Sequence, residues 1–155
     1  MSAQSGRLSA SAANPLANRP WWQLAILGAA VATVLNLVLY AIAVGIGDVD
    51  LLAPTGPGSS DLREMGTGPV VTFSVLPALL AAGLAALLAR VTAAPRRWFG
   101  GIALVILLLS FVPSLQLDVS NGAKLTLVLM HVAAAAAIVA ALLPRLAAEE
   151  ERGRR

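Results

Sequence analysis

Residues 21–45, WWQLAILGAAVATVLNLVLYAIAVG, contain no charged side chain. An α-helix rises about 1.5 Å per residue, so about 20 residues cross a hydrocarbon core of about 30 Å. This stretch is long enough to do so. Trp21 and Trp22 stand at its start, where an aromatic belt meets the membrane interface. A cleaved signal peptide is the rival reading, because Ala41-Ile42-Ala43 resembles a cleavage site. Signal cores span only about 7–15 apolar residues, so the stretch is read as a retained span.

The pattern recurs along the chain. Further apolar blocks run over about 69–88, 98–117 and 125–143. Pro69 can open the second, and Pro77 should kink it. Trp98-Phe99 opens the third, and Pro113 falls near its far end. Pro144-Arg145 is expected to end the fourth. Between the blocks lie an acidic, Gly/Pro-rich loop over 48–68, a basic turn over 90–97 and a short turn over 118–124 with Asn121-Gly122. Residues 1–20 are expected to form a flexible tail and 146–155 a charged one. The fold expected is all-α: a membrane four-helix bundle of two consecutive helical hairpins. Both hairpins open on an Arg-aromatic motif, Arg19-Pro20-Trp21-Trp22 and Arg96-Arg97-Trp98-Phe99. Shared interface physics explains that likeness without duplication.

Composition agrees. Hydrophobic residues make up 58% of the 155 residues and charged residues 12%. An average soluble domain carries about 25% charged residues, so too little polar surface exists to coat a water-soluble globule. The net charge of +3 does not form a nucleic-acid stripe. Ten of the basic residues are arginine and one is Lys124; with the abundant alanine this hints at a GC-rich bacterial genome. Arg7, Arg19, Arg90, Arg96, Arg97, Arg145, Arg152, Arg154 and Arg155 fall on one side of the four spans. Arg63 and Lys124 fall on the other. The positive-inside rule then places both termini in the cytoplasm, in a bacterial inner membrane.

Helices in lipid associate through close packing and polar contacts. Small or polar residues recur at helical spacing: Ala25, Ala29, Ala32 and Asn36 in the first span, Ser74, Ala78, Ala82 and Ala85 in the second. Counting residues from the span ends places Asn36, Tyr40, Ser74, Ser110, Ser114 and His131 at similar depth, in the outer half. These six are the candidate polar pocket. His131 is its one group that titrates near neutral pH, and ionisable residues inside membranes are often functional. In the plainer alternative, a neutral His131 hydrogen-bonds Asn36 or a serine and holds the bundle together. Such contacts contribute about 0.6 kcal/mol on average.

Other features carry less. Asp48, Asp50, Asp61 and Glu64 lack calcium-loop spacing. Gly66-Thr67-Gly68 lacks a phosphate-loop pattern. No Asp or Glu lies within a span, so a carboxylate proton relay is not expected. Without cysteine, and with one histidine, the chain offers no usual zinc or haem ligand set. No catalytic residue, cofactor or metal is assigned. The expected partners are the lipid bilayer and either further copies of the chain or a membrane partner protein.

The blocks Asn36-Leu37-Val38-Leu39-Tyr40, Ser110-Phe111-Val112-Pro113-Ser114 and Lys124-Leu125-Thr126-Leu127-Val128-Leu129-Met130-His131 resemble a family of small bacterial four-span membrane proteins catalogued as a domain of unknown function. The likeness covers about residues 20–145. It implies a four-helix membrane fold and an inner-membrane location, and it supplies no activity. The first expectation is a non-enzymatic protein acting by membrane-embedded binding or assembly. The alternatives are a small transporter or channel element with an outer polar pocket, and a membrane enzyme using His131.

Overall fold

The computed structural model describes residues 14–54 and 61–154. A 3-10 turn, Pro15–Asn18, leads into α1 (Trp21–Gly45). Two short strands follow, β1 (Leu52–Pro54) and β2 (Leu62–Glu64), then α2 (Thr67–Val91), α3 (Pro95–Gln116) and α4 (Asn121–Gly153). All four α-helices are long and apolar enough to cross a membrane. The all-α four-helix bundle expected from the sequence is what the chain forms.

Helix starts follow local chemistry. Pro95 occupies the first turn of α3, where its missing N–H costs nothing. Ser120 caps α4, its hydroxyl accepting from the Ala123 N–H at 3.2 Å. At the end of α1 the chain turns back through Gly47 and Asp48. A Cβ on Gly47 would sit 2.9 Å from the carbonyl oxygen of Ala43, so only glycine fits. Asp48 adopts a left-handed backbone, φ 47°, a region aspartate tolerates better than most residues.

The small-residue stripes become the helix seams. α1 lies between α2 and α4 and packs along both, while α3 packs mainly on α4. Ala25, Ala29 and Ala32 meet Ala78, Ala82 and Ala85 in one buried cluster. Phe99, fully buried, joins the near end of α3 to Leu142 and Leu146 of α4. A second cluster at the opposite end gathers Ala43, Leu51 and Ala123 under Tyr40, Val49, Met65 and Val119. Residues 14 and 154 therefore lie at the end of the bundle that holds Phe99.

Three local expectations need correction. Residues 14–20 are not a free tail; the rest of that tail, residues 1–13, lies outside the described residues. Leu16 packs on the core, and Arg145 donates to the Ala17 carbonyl at 3.3 Å. Arg152 donates to the Asn18 side chain at 3.1 Å. Second, α4 does not stop at Pro144. The proline removes one backbone bond, but Leu142 and Leu146 on either side are fully buried. Ion pairs at helical spacing, Arg145–Glu149, Arg152–Glu149 and Arg154–Glu150, carry the helix onward. Third, the loop after α1 contains an antiparallel pair, with Leu52 opposite Glu64 and Ala53 opposite Arg63.

Arg145 is the keystone of the docked segment. Its guanidinium also lies 2.7 Å from Glu149 and 5.5 Å from the centre of the Trp21 ring. Charged hydrogen bonds of this kind contribute about 1.5–3 kcal/mol. Arg145→Gln should therefore release residues 14–19 and speed proteinase K cleavage within them by roughly tenfold or more, while helicity by circular dichroism stays unchanged. Cleavage at the native rate would show that Leu16 packing and the Arg152–Asn18 bond hold the segment without Arg145.

Candidate functional site

The polar candidates begin with Asn36. It sits on the α1 face that carries Ala25, Ala29 and Ala32 and is 5% exposed. Its Nδ2 donates to Ser74 Oγ on α2 at 3.0 Å. The Ser74 hydroxyl in turn donates to the Val70 carbonyl, one turn back, at 2.8 Å. This chain has a direction. The serine hydrogen is committed to Val70, so Ser74 can only accept from Asn36. The amide oxygen of Asn36 must then look elsewhere.

It finds no donor. Among the described residues, Asn36 Oδ1 is buried without a hydrogen-bond partner, and so is Thr33 Oγ1, one turn earlier on the same helix. Thr33 was not among the residues singled out from the sequence. Its spacing of three from Asn36 was the available signal, masked because threonine usually bonds its own helix backbone. Orphaned buried polar atoms are uncommon, and each costs about 1–3 kcal/mol. A third, Arg145 Nε, lies at the other end of the bundle in a guanidinium that is otherwise bonded, whereas these two stand one turn apart in a core otherwise built of alanine and leucine and mark a place where the fold is not optimised for stability.

The remaining candidates are distributed around that centre. Gly28 faces Ile138 and Ala141 across the α1–α4 seam. The two helices run antiparallel, so about two turns further on Asn36 comes level with the turn of α4 that holds His131. His131 is half-buried, and its Nδ1 lies 2.7 Å from the Leu127 carbonyl. A carbonyl can only accept, so Nδ1 carries the hydrogen and, in the neutral ring, Nε2 is a bare acceptor. Ser110 and Ser114 lie on α3, the helix that packs mainly on α4. Ser110 donates to the Leu107 carbonyl at 2.6 Å, and Ser114, buried, to the Ser110 carbonyl at 3.4 Å. Tyr40 packs half-buried on the second cluster, at the end of the bundle away from Phe99. Among the described residues, Asn36 and Ser74 are the only two of the six joined by a hydrogen bond between helices. His131 and the two serines bond within their own helices.

In the layer Asn36 Oδ1 and, in the neutral ring, His131 Nε2 can accept, Thr33 Oγ1 can donate as well as accept, and the serine hydrogens are already used. Among the described residues no three His, Asp or Glu side chains converge to hold a metal ion.

Comparison with known families matches residues 16–148 to DUF6069, a family of unknown function. The chain belongs to DUF6069. The matched region covers the first three helices and α4 as far as residue 148, and so includes the Asn36 layer, the docked residues from Leu16 onward and Arg145. No curated protein and no solved structure matches the chain. Its family and its four apolar helices together make it an uncharacterised multi-pass membrane protein.

Proposed function

We propose that this DUF6069 member is a non-enzymatic binding protein of the bacterial plasma membrane, with both termini cytoplasmic and its site in the polar layer around Asn36. One observation carries the reading: the partnerless, buried amide oxygen of Asn36. A fold selected only for stability would place an apolar side chain there. The free groups there are the acceptor Oδ1 of Asn36 and the hydroxyl of Thr33, so the fitting occupant carries at least one hydrogen-bond donor, as an amine, an alcohol or water does. His131, Ser110 and Ser114 border the same depth, and Tyr40 lies toward the outer end.

Orientation rests on charge. At the end with residues 14 and 154, arginines 19, 90, 96, 97, 145, 152 and 154 stand against Glu149, Glu150 and Glu151. The opposite end carries Arg63 and Lys124. The positive-inside rule assigns the first end to the cytoplasm. A transport reading would need polar side chains through the inner half, where Gly28, Ala29, Ala82, Ala85 and Leu142 meet instead. Assembly with other chains is favoured by a separate feature. Only Pro95, Phe99 and Ser114 of α3 are buried, so most of that helix is open to a neighbour or to lipid.

The cysteine-free chain permits a direct test. Single cysteines at Val49, His131 and Glu151 are treated in intact cells with a membrane-impermeant thiol reagent. Val49→Cys and His131→Cys should react, and Glu151→Cys only after permeabilisation. Labelling at Glu151 in intact cells would overturn the orientation. A His131→Cys that reacts with neither impermeant nor permeant reagent would place it in a sealed core and remove the site.

A further inference from the structure

The arginines at the Phe99 end of the bundle fall into two classes. Those on α4 are matched: Arg145 and Arg152 with Glu149, Arg154 with Glu150. Those around the α2–α3 turn are not. Arg90 lies in the last turn of α2, and Arg96 and Arg97 lie in the first turn of α3. All three are exposed, and none of their side chains forms an ion pair or hydrogen bond with any described residue. Three unmatched cations thus occupy eight consecutive positions.

Two of them also stand where helix electrostatics disfavour them. The N-terminus of a helix carries partial positive charge, which acidic side chains normally offset. The first turn of α3 has no acidic residue, and its cap, Ala94, has no side chain to accept from the free N–H groups. Arg96 and Arg97 add positive charge to that end. An anion from outside the chain would resolve the conflict. Exposed Trp98, 60% accessible, adjoins the arginines, and tryptophan favours the head-group level of a bilayer.

We propose that Arg90, Arg96 and Arg97, with Trp98, form a binding surface for anionic phospholipid head groups. The lipid phosphate sits against the guanidinium groups while its acyl chains run down the exposed apolar sides of α2 and α3, past Leu87, Leu104 and Leu108. The surface is separate from the Asn36 layer and does not depend on it.

The full-length protein in nanodiscs of phosphatidylcholine with a graded fraction of phosphatidylglycerol tests this, with retained lipid counted by native mass spectrometry. Both leaflets present the same lipid, so inverted insertion cannot imitate loss of binding. The wild type should retain phosphatidylglycerol, and R90Q/R96Q/R97Q should bind it on the order of 100-fold more weakly. R152Q/R154Q, which changes matched arginines, should behave as wild type. Should the triple variant misfold by circular dichroism, each single variant should show a loss of roughly fivefold. Undiminished binding by the triple or single variants, or equal loss in R152Q/R154Q, overturns the proposal. So does displacement of the lipid by millimolar inorganic phosphate, which would mark a site for a soluble anion.

Discussion

Gly28→Leu is expected to force α1 away from α4 and to lower the stability of the bundle by about 3 kcal/mol or more, whereas Gly28→Ala costs little. A Cβ at Gly28 would lie 3.3 Å from the Ile138 Cα and 3.5 Å from the Ala141 Cβ. The first neighbour is backbone and cannot swing aside. An alanine methyl needs it to shift by a few tenths of an ångström, which a helix seam can absorb. A leucine brings three further carbons into the same gap. In lipid no hydrophobic effect between helices compensates, so lost packing is lost stability. The seam also joins the first hairpin to the second, so its opening removes the main contact between the two halves. Thermal unfolding in mild detergent measures the effect. A Gly28→Leu protein that melts like the wild type would show that the two helices do not rely on this close approach.

The legible parts of the fold are those governed by the bilayer. The apolar block at 21–45 coincides with α1 because no charged residue interrupts it and Pro20 and the Gly47 turn bound it. The other three helices begin two to four residues before their apolar blocks, since caps and first turns can be polar: Ser120 starts α4 ahead of Leu125. What escaped is long-range. Pro144 reads locally as a stop, yet burial of Leu146 and the Arg–Glu pairs beyond it override one lost hydrogen bond. Residues 15–18 read as tail because their partners, Arg145 and Arg152, lie well over a hundred positions away. Within the site, depth counting brought Asn36 and Ser74 into the same layer. It could not reveal that Asn36 Oδ1 and Thr33 Oγ1 are left without partners among the described residues, because that depends on how the two side chains are turned.

Asn36 provides the second large effect and the most direct test. Asn36→Asp would place a carboxylate in the buried seam beside the Ser74 oxygen, which already spends its hydrogen on Val70. A charged side chain deep in a membrane helix costs about 2.5–3.5 kcal/mol, so this variant should be severely destabilised. Asn36→Leu should behave oppositely. It loses one hydrogen bond to Ser74, about 0.6 kcal/mol by the membrane-protein average. It also removes the orphaned oxygen, whose burial costs about 1–3 kcal/mol. The decisive measurement is the unfolding midpoint of Asn36→Leu in mild detergent against the wild type. If Asn36 serves binding rather than stability, the midpoint is equal or higher. A loss of more than about 1 kcal/mol would contradict this and make the Asn36–Ser74 bond part of what holds the bundle together.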